Sequence, residues 1–465
     1  MRRLRHRIPV RLRHHWKVVA ACGAFFGVLV GMVGATRVAP LVTSDERADV
    51  DVVTEDLPGR VDLFDAGRPH QLSLSFPDED YQRMLAQFLA DGSKDYVQAD
   101  LVIDGTFVPD VGIRLKGNST LRSLSRGGGS GFQAPETLPW LVSFDQFAKG
   151  RRYQGHTEVA VRPPGMGRST SLNEAIALTL VARSGEPSQR HAFSSFAVNG
   201  RPAVTRLLVE HPDKAYAKAL AGDGVLFKSL AGSQFTDQGD DQTAYRDDFD
   251  QVNKKGSQDL QPVIELIQWV ARASDAEFAA GLADRVDVDS FARYAALQNL
   301  LLNFDDMAGP GRNYYLYYDL DRRRFTVLTW DLNLALNGDP AQGPFDAGRM
   351  GGFGARGGFQ GGGPGVGGPA VGGPAGGGPA AGGPGAGGGF RQGNPLKERF
   401  LAAAAFKPRY EKAYRELYRK LFASGAALKA AGANESTVDG EATTLRTLIE
   451  NRTKSLATNA VIVGP

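Results

Sequence analysis

One cysteine in 465 residues, Cys22, leaves little room for sulfur chemistry. It falls within an apolar run near the N-terminus, so the chain beyond that run has no thiol. Disulfides, cysteine-ligated zinc and a cysteine nucleophile are excluded there. Histidine is scarce too, at seven, and neither an H-E-x-x-H pair nor a G-x-S-x-G elbow occurs, which argues against a hydrolase. The G-x-x-x-x-G-K-[ST] pattern is also missing, so a Walker-type phosphate loop is excluded.

Positive charge is not spread evenly. Of a net +3, seven charges sit in the first 17 residues (Arg2, Arg3, Arg5, Arg7, Arg11, Arg13 and Lys17), and the rest of the chain carries −4. A mildly acidic body offers no nucleic-acid surface, and no such partner is expected. Residues 18–36 are uncharged and largely apolar, close to the roughly 20 residues a spanning helix needs. Basic residues ahead of that span predict an N-terminus kept in the cytoplasm and a body on the far side. Val33-Gly34-Ala35 offers small residues for cleavage, so a signal peptide is the rival reading. Either way the body is expected outside the cytoplasmic membrane, anchored through the N-terminal helix or secreted.

Residues 37–69 are polar and acidic and read as a linker. Alternation predicts a strand over 70–76, and Pro77-Asp78-Glu79-Asp80 opens a helix reaching residue 89. Segments 96–103 and 111–115 read as a hairpin turned at Asp104-Gly105. It runs into Lys116-Gly117-Asn118-Ser119-Thr120, which is either an ordinary turn or a loop whose N–H groups and Lys116 touch phosphates. Strands follow at 139–145, 158–162, 191–198 and 205–210, the last two joined by Asn199-Gly200. Ser171-Leu172-Asn173-Glu174 reads as a capping box opening a helix to residue 183, which gives Glu174 a structural task. Ser274 to Glu277 reads as another, and amphipathic helices are expected at 260–272 and 287–304. Strands first and helices after is an α+β pattern. Residues 351–393 are glycine, proline and alanine without a strict G-x-y register, so collagen is excluded and a flexible insert is expected. Apolar stripes after residue 395 predict helices that pack back on the helical part.

The densest chemistry lies in residues 298–335. Asp305 and Asp306 precede the breaker Gly309-Pro310-Gly311; Asn313 opens an aromatic strand, and Asp331 ends the strand after it. An acid, an amide and a second acid in this order match the parts that phosphoryl transfer uses to orient an acceptor hydroxyl and hold magnesium. Each acid taken alone also reads as a cap.

The wording resembles the CotH kinase family, named for a spore coat protein H. Its N-x-D, N-Y-Y-L-Y and W-D-L-N elements stand here as Asn303-Phe304-Asp305, Asn313 to Tyr317 and Trp330-Asp331-Leu332-Asn333. Its R-x-(R/K)-G-N-S segment stands as Arg114 to Ser119. The resemblance covers most of residues 70–340. It implies a two-lobed, protein-kinase-like α+β fold, with a β-rich N-lobe and a helical C-lobe, that transfers phosphate from ATP to Ser or Thr of a protein. On that reading Asp305 is catalytic, Asn313 and Asp331 hold Mg²⁺, and Lys116, Asn118, Glu210 and Lys228 are candidates to meet the nucleotide. Glu210, in Glu210-His211-Pro212-Asp213-Lys214, either reaches the ribose or adenine or caps the next helix. Where family members carry bases in the strand at 139–145, this chain has Leu141 and Ser143. That departure keeps a non-transferring scaffold as the alternative. The expected organisation is a basic segment (1–17), an anchor (18–36), a linker (37–69), a kinase-like domain (70–345), the insert (346–394) and C-terminal helices (395–465).

Overall fold

Short alternating strands dominate the first half of the body. They are β1 (Glu55–Leu57), β2 (His70–Ser75), β3 (Val97–Ile103), β4 (Thr106–Leu115), β5 (Trp140–Ser143), β6 (Arg151–Tyr153), β7 (Glu158–Arg162), β8 (His191–Val198) and β9 (Val204–Glu210). The computed structural model describes residues 52–117, 134–164, 170–254, 259–346, 393–433 and 440–464, with Leu121, Phe132 and a few positions between 17 and 27. Most of the expected anchor, Asn118 and residues 347–392 lie outside the described residues. Among those described, no helix is long and apolar enough to cross a membrane. The described residues from 52 to 254 and from 259 to 464 form one unit.

Seven of these strands close into a barrel in the order β2-β3-β4-β5-β7-β9-β8, with β2 running parallel to β8 and the other neighbours antiparallel. Period-two patterning drives this. In β3, Val97, Ala99, Leu101 and Ile103 turn inward while Gln98 and Asp100 face water. The two hairpin turns form as read, since Asp104 and Gly105 (φ 47° and 78°) and Asn199 and Gly200 (φ 48° and 70°) all adopt the left-handed region. Helix α1 (Asp78–Asp91) closes one end by burying Tyr81, Met84, Leu85 and Phe88 against the barrel core.

The fully buried Arg206 ties β9 to its surroundings. Its guanidinium donates to the carbonyls of Arg162 and Leu138, both at 2.6 Å, and to that of Glu136, so no donor group faces apolar atoms alone.

The second half is built from helices α2 (Leu172–Ser184), α3 (Lys214–Ala219), α4 (Gln261–Arg272), α5 (Asp275–Gly281) and α6 (Val288–Leu300). They pack with an antiparallel sheet of β10 (Gly224–Ser229), β11 (Phe249–Gln251), β12 (Tyr314–Asp319) and β13 (Arg324–Thr329), ordered β11-β10-β12-β13. After the insert come α7 (Pro395–Ala402), α8 (Lys407–Leu417), α9 (Ala426–Gly432) and α10 (Glu441–Ala457). Phe400 on α7 meets Phe291 on α6 at 4.9 Å between ring centroids, and Tyr414 on α8 donates to Asn299 Oδ1 at 2.8 Å. The apolar residues of α7 to α10 therefore share one core with α2, α4 and α6.

Two sequence expectations need correcting. The Ser274 box forms in full, whereas Ser171 donates to Pro163 O instead and Glu174 turns to the Arg162 guanidinium. A buried guanidinium offers a carboxylate a stronger, charge-assisted bond than a helix N–H does. The helix expected over 287–304 ends at Leu300, because Leu302 is left-handed (φ 51°) and Asn303 N–H bonds back to Gln298 O.

Candidate active site

The loop leaving α6 is shaped around one carboxylate. Asp305 Oδ1 accepts from Gly311 N–H at 2.5 Å, and Asn313 Nδ2 donates to Asp305 Oδ2 and to its main-chain oxygen, both at 3.0 Å. A Cβ at Gly309 would run into Phe304 O and Asp305 Cα, and one at Gly311 would meet the Asp305 carboxylate, so the tightness of the loop demands these glycines. Burial pushes the Asp305 carboxyl up to about 6; the charges of Asp331 and Asp306 add to this, and the Gly311 and Asn313 bonds oppose it.

Asp331 follows β13 in a left-handed conformation (φ 55°, ψ 65°), which costs a non-glycine residue roughly 1–2 kcal/mol. That backbone delivers its carboxylate to Arg162 Nη2, while Arg162 Nε bonds Glu174 Oε2 at 2.8 Å. Arg162 ends β7 and Glu174 lies in the first turn of α2, so one guanidinium joins barrel, helix and the end of the sheet. Burial works against the Arg162 charge, but Asp331 and Glu174 more than offset it and hold its pKa above the ordinary value.

Lys116, just beyond β4, sets its Nζ 4.9 Å over the Trp330 ring. Lys228 lies on β10, where its Cα partners are Asp250 and Tyr315. Among the described residues neither lysine has a carboxylate within 4 Å. Burial lowers both pKa values, strongly for Lys116; Lys228 and Arg162 lower it further at Lys116 and Arg114 at Lys228, while Asp331 opposes this at both and Asp250 and Glu158 at Lys228.

His211 packs its ring edge-on against Trp330 at 5.5 Å and places Nε2 3.3 Å from Glu158 Oε2. Burial, then the charges of Lys116 and Lys228, keep it neutral. Its Nδ1 and the hydroxyl of Tyr315 are buried without a hydrogen-bond partner among the described residues. Cations crowded together beside two unsatisfied polar atoms make a place where an anion with several acceptor oxygens is stabilised.

The electrostatic reach of these groups on one another brings Asp305, Asp331, Lys116 and Lys228 into one cluster, with Asn313 bonded to Asp305. Glu210 is committed elsewhere. Its carboxylate accepts from Arg190 N–H at 3.0 Å and lies 3.7 Å from His156 Nδ1, and burial pushes it up to about 7. It does not cap the next helix; Asp213 does, accepting from Tyr216 N–H at 2.9 Å. Asn118 lies outside the described residues.

Sequence reading assigned no site role to Arg162, His211 or Tyr315 and left Glu174 as a cap. The available signal was weak: Glu158, Ala160 and Arg162 share one face of β7, as Arg114 shares a face with Lys116 around β4. Among the described residues no group of three or more His, Cys, Asp and Glu side chains is arranged to hold a metal by itself. The family model described as CotH kinase protein matches residues 113–447. No curated protein matches the chain. With the match spanning most of the chain, and covering the N-x-D, N-Y-Y-L-Y and W-D-L-N elements, this chain belongs to the CotH kinase protein family.

Proposed function

We propose that the protein is an exported, membrane-anchored atypical protein kinase that transfers phosphate from Mg-ATP to Ser or Thr of an envelope or surface protein. In this reading the barrel and the helical half act as the two lobes of a kinase-like fold. The observation that carries it is the pairing of a lysine cluster, without carboxylate partners among the described residues, with two carboxylates, Asp305 and Asp331, the charge of the second raising the pKa of the first. Export and anchoring rest on the sequence of residues 1–36.

The residues present fit a hard cation that takes most of its oxygens from phosphate and water. Asn313 spends its NH₂ on Asp305, which leaves its amide oxygen as an acceptor, and Asp331 keeps one carboxylate oxygen beyond the one facing Arg162. Asp331 and Asn313 would hold Mg²⁺, which when bound neutralises charge on the phosphates. Lys116 and Lys228 would meet phosphate oxygens, and an anion there would relieve their mutual repulsion. Asp305 would accept the proton of the attacking hydroxyl as its oxygen bonds to the γ-phosphorus and the bridging oxygen leaves with ADP. A carboxyl near 6 is ionised at neutral pH and still basic enough for that task.

Incubating the purified chain with labelled ATP, Mg²⁺ and Ser-rich envelope proteins tests this. Transfer by the wild type that is lost in Asp305→Ala and Asp331→Ala is expected; equal labelling by all three would remove the proposal. A second reading, a scaffold without transfer, is favoured by Leu141, wholly buried on β5 opposite Arg114 and Ala160 where relatives carry a base. A missing thermal shift with Mg-ATP would select it.

A further inference from the structure

We propose that Lys397, on the first helix after the glycine-rich insert, is a positioning residue for the acceptor loop and acts through Asp306; this rests on the kinase reading above. Asp306 neighbours Asp305 in sequence, yet it is turned into the fold, its side chain only 3% exposed. Its Oδ2 pairs with Lys397 Nζ, and its Oδ1 accepts from Ala308 N–H at 2.8 Å. Ala308 O in turn accepts from Gly393 N–H at 2.9 Å and from Arg312 Nη1 at 3.2 Å. Tyr294 from α6 completes the attachment by accepting from Met307 N–H at 3.2 Å.

The loop carrying Asp305 is thus fastened from both sides, by α6 within the domain and by α7 from beyond the insert. Asn394 caps α7, accepting from Leu396 N–H at 3.1 Å, and fixes where the first turn presents Lys397. Leu396 and Phe400, on the adjoining face of α7, are buried in the core. The charged and titratable groups within electrostatic reach of Asp306 are Lys397 from α7, Tyr294 from α6, Tyr410 from α8 and Asp305 beside it in the loop. Lys397 is therefore the cation that balances a carboxylate buried one residue from the acceptor-orienting acid. An ion pair serving fold stability alone could sit anywhere in this core. Here its anion belongs to the turn that leads into Gly311, whose N–H holds the Asp305 carboxylate.

The full-length protein carrying Lys397→Met, Lys397→Arg, or Asp306→Asn with Lys397→Met decides the matter. Steady-state phosphotransfer is measured together with hydrogen exchange over residues 306–313. Lys397→Met is expected to lower kcat by about ten-fold or more, since a displacement of roughly 1 Å at a reacting group has such effects. KM for ATP should stay within about two-fold, because the nucleotide cluster is untouched. Amides 308 and 311 should exchange faster. Lys397→Arg should keep most activity, and the double variant should recover much of the loss, as no buried charge is left unpaired. An unchanged kcat in Lys397→Met, or kcat and KM moving together, overturns the proposal. If the wild type transfers no phosphate the kinase reading fails instead; unchanged exchange over 306–313 in Lys397→Met then still sinks the role of Lys397.

Discussion

The buried arginines and the buried lysines of this protein differ in their neighbours. In the barrel, Arg206 is 2% exposed and spends its guanidinium on three carbonyl oxygens; Arg452 on α10 does likewise with the oxygens of Pro340, Gln342 and Asn299. In the cluster near Trp330, Lys116 and Lys228 have no carboxylate partner among the described residues, and each lies under the positive charge of other cations. Burial and the charge of Arg162 lower the Arg206 pKa as well, to about 9, but oxygens meet its donors and the buried charge is tolerated. Where they do not, the fold carries a standing cost that an arriving anion relieves, and such a site is built for a ligand.

Replacing Arg206 with Met offers the hardest test of the first half of that contrast. Three inward carbonyls would lose their donor, and at about 1–3 kcal/mol for each unsatisfied group the loss should reach about 4 kcal/mol in urea unfolding. That loss should be the same with or without nucleotide. A cost below about 1 kcal/mol would mean that the carbonyls find other partners, and the contrast would collapse.

Lys116→Met and Lys228→Met test the other half. Lys116→Met removes a charge that burial and neighbouring cations oppose, and Lys228→Met one that burial and Arg114 oppose more than Asp250, Asp331 and Glu158 favour it, so the protein without ligand should be as stable as the wild type or more so. At a nucleotide concentration 100 times the wild-type Kd, the wild type should gain about 2.7 kcal/mol and the variants much less. Destabilisation on the scale of Arg206→Met would make these lysines structural as well.

A smaller effect follows from Asp305. Its carboxyl near 6 must be ionised to take a proton, so kcat/KM should be level above that pH. Below it the rate should fall by about ten-fold per unit, equivalent to about 1.4 kcal/mol. A pH profile level down to 4.5 would separate Asp305 from proton transfer.

Local signals account for what the sequence disclosed. The turn at Asp104-Gly105, the strand Glu158–Arg162 and the capping box at Ser274 depend on residues a few positions apart, and each formed as read. Barrel closure depends on β2 meeting β8, with His70 opposite Ser194, and nothing near either strand announces a partner so distant. Arg162 was missed for the same reason: its partners Glu174 and Asp331 come from another helix and another sheet. The box at Ser171 failed because a tertiary guanidinium outcompeted a local N–H, a contest invisible within four residues. The acids at 305 and 331 were legible because breaker and strand signals bracket them. Lys397 was not, since the insert separates it from Asp306 by most of a hundred residues.

Glu210 sharpens the contrast from the side of negative charge. Its carboxylate accepts one backbone N–H, from Arg190, and burial raises its pKa from an ordinary 4.5 to about 7. Between those values the folded protein keeps a proton that the unfolded chain has released. Stability should therefore fall as pH rises from about 4.5 to 7 and level off above. Gln at this position keeps an oxygen for Arg190 N–H and carries no charge. Glu210→Gln should match the wild type near pH 4 and exceed it by about 1–2 kcal/mol at pH 8. Titrating groups remote from Glu210 cancel in the difference between the two proteins, whereas His156, 3.7 Å from the carboxylate, adds its own change to it. A difference that does not change with pH would place Glu210 among charges that are already well solvated, beside Arg206 and not beside the lysines.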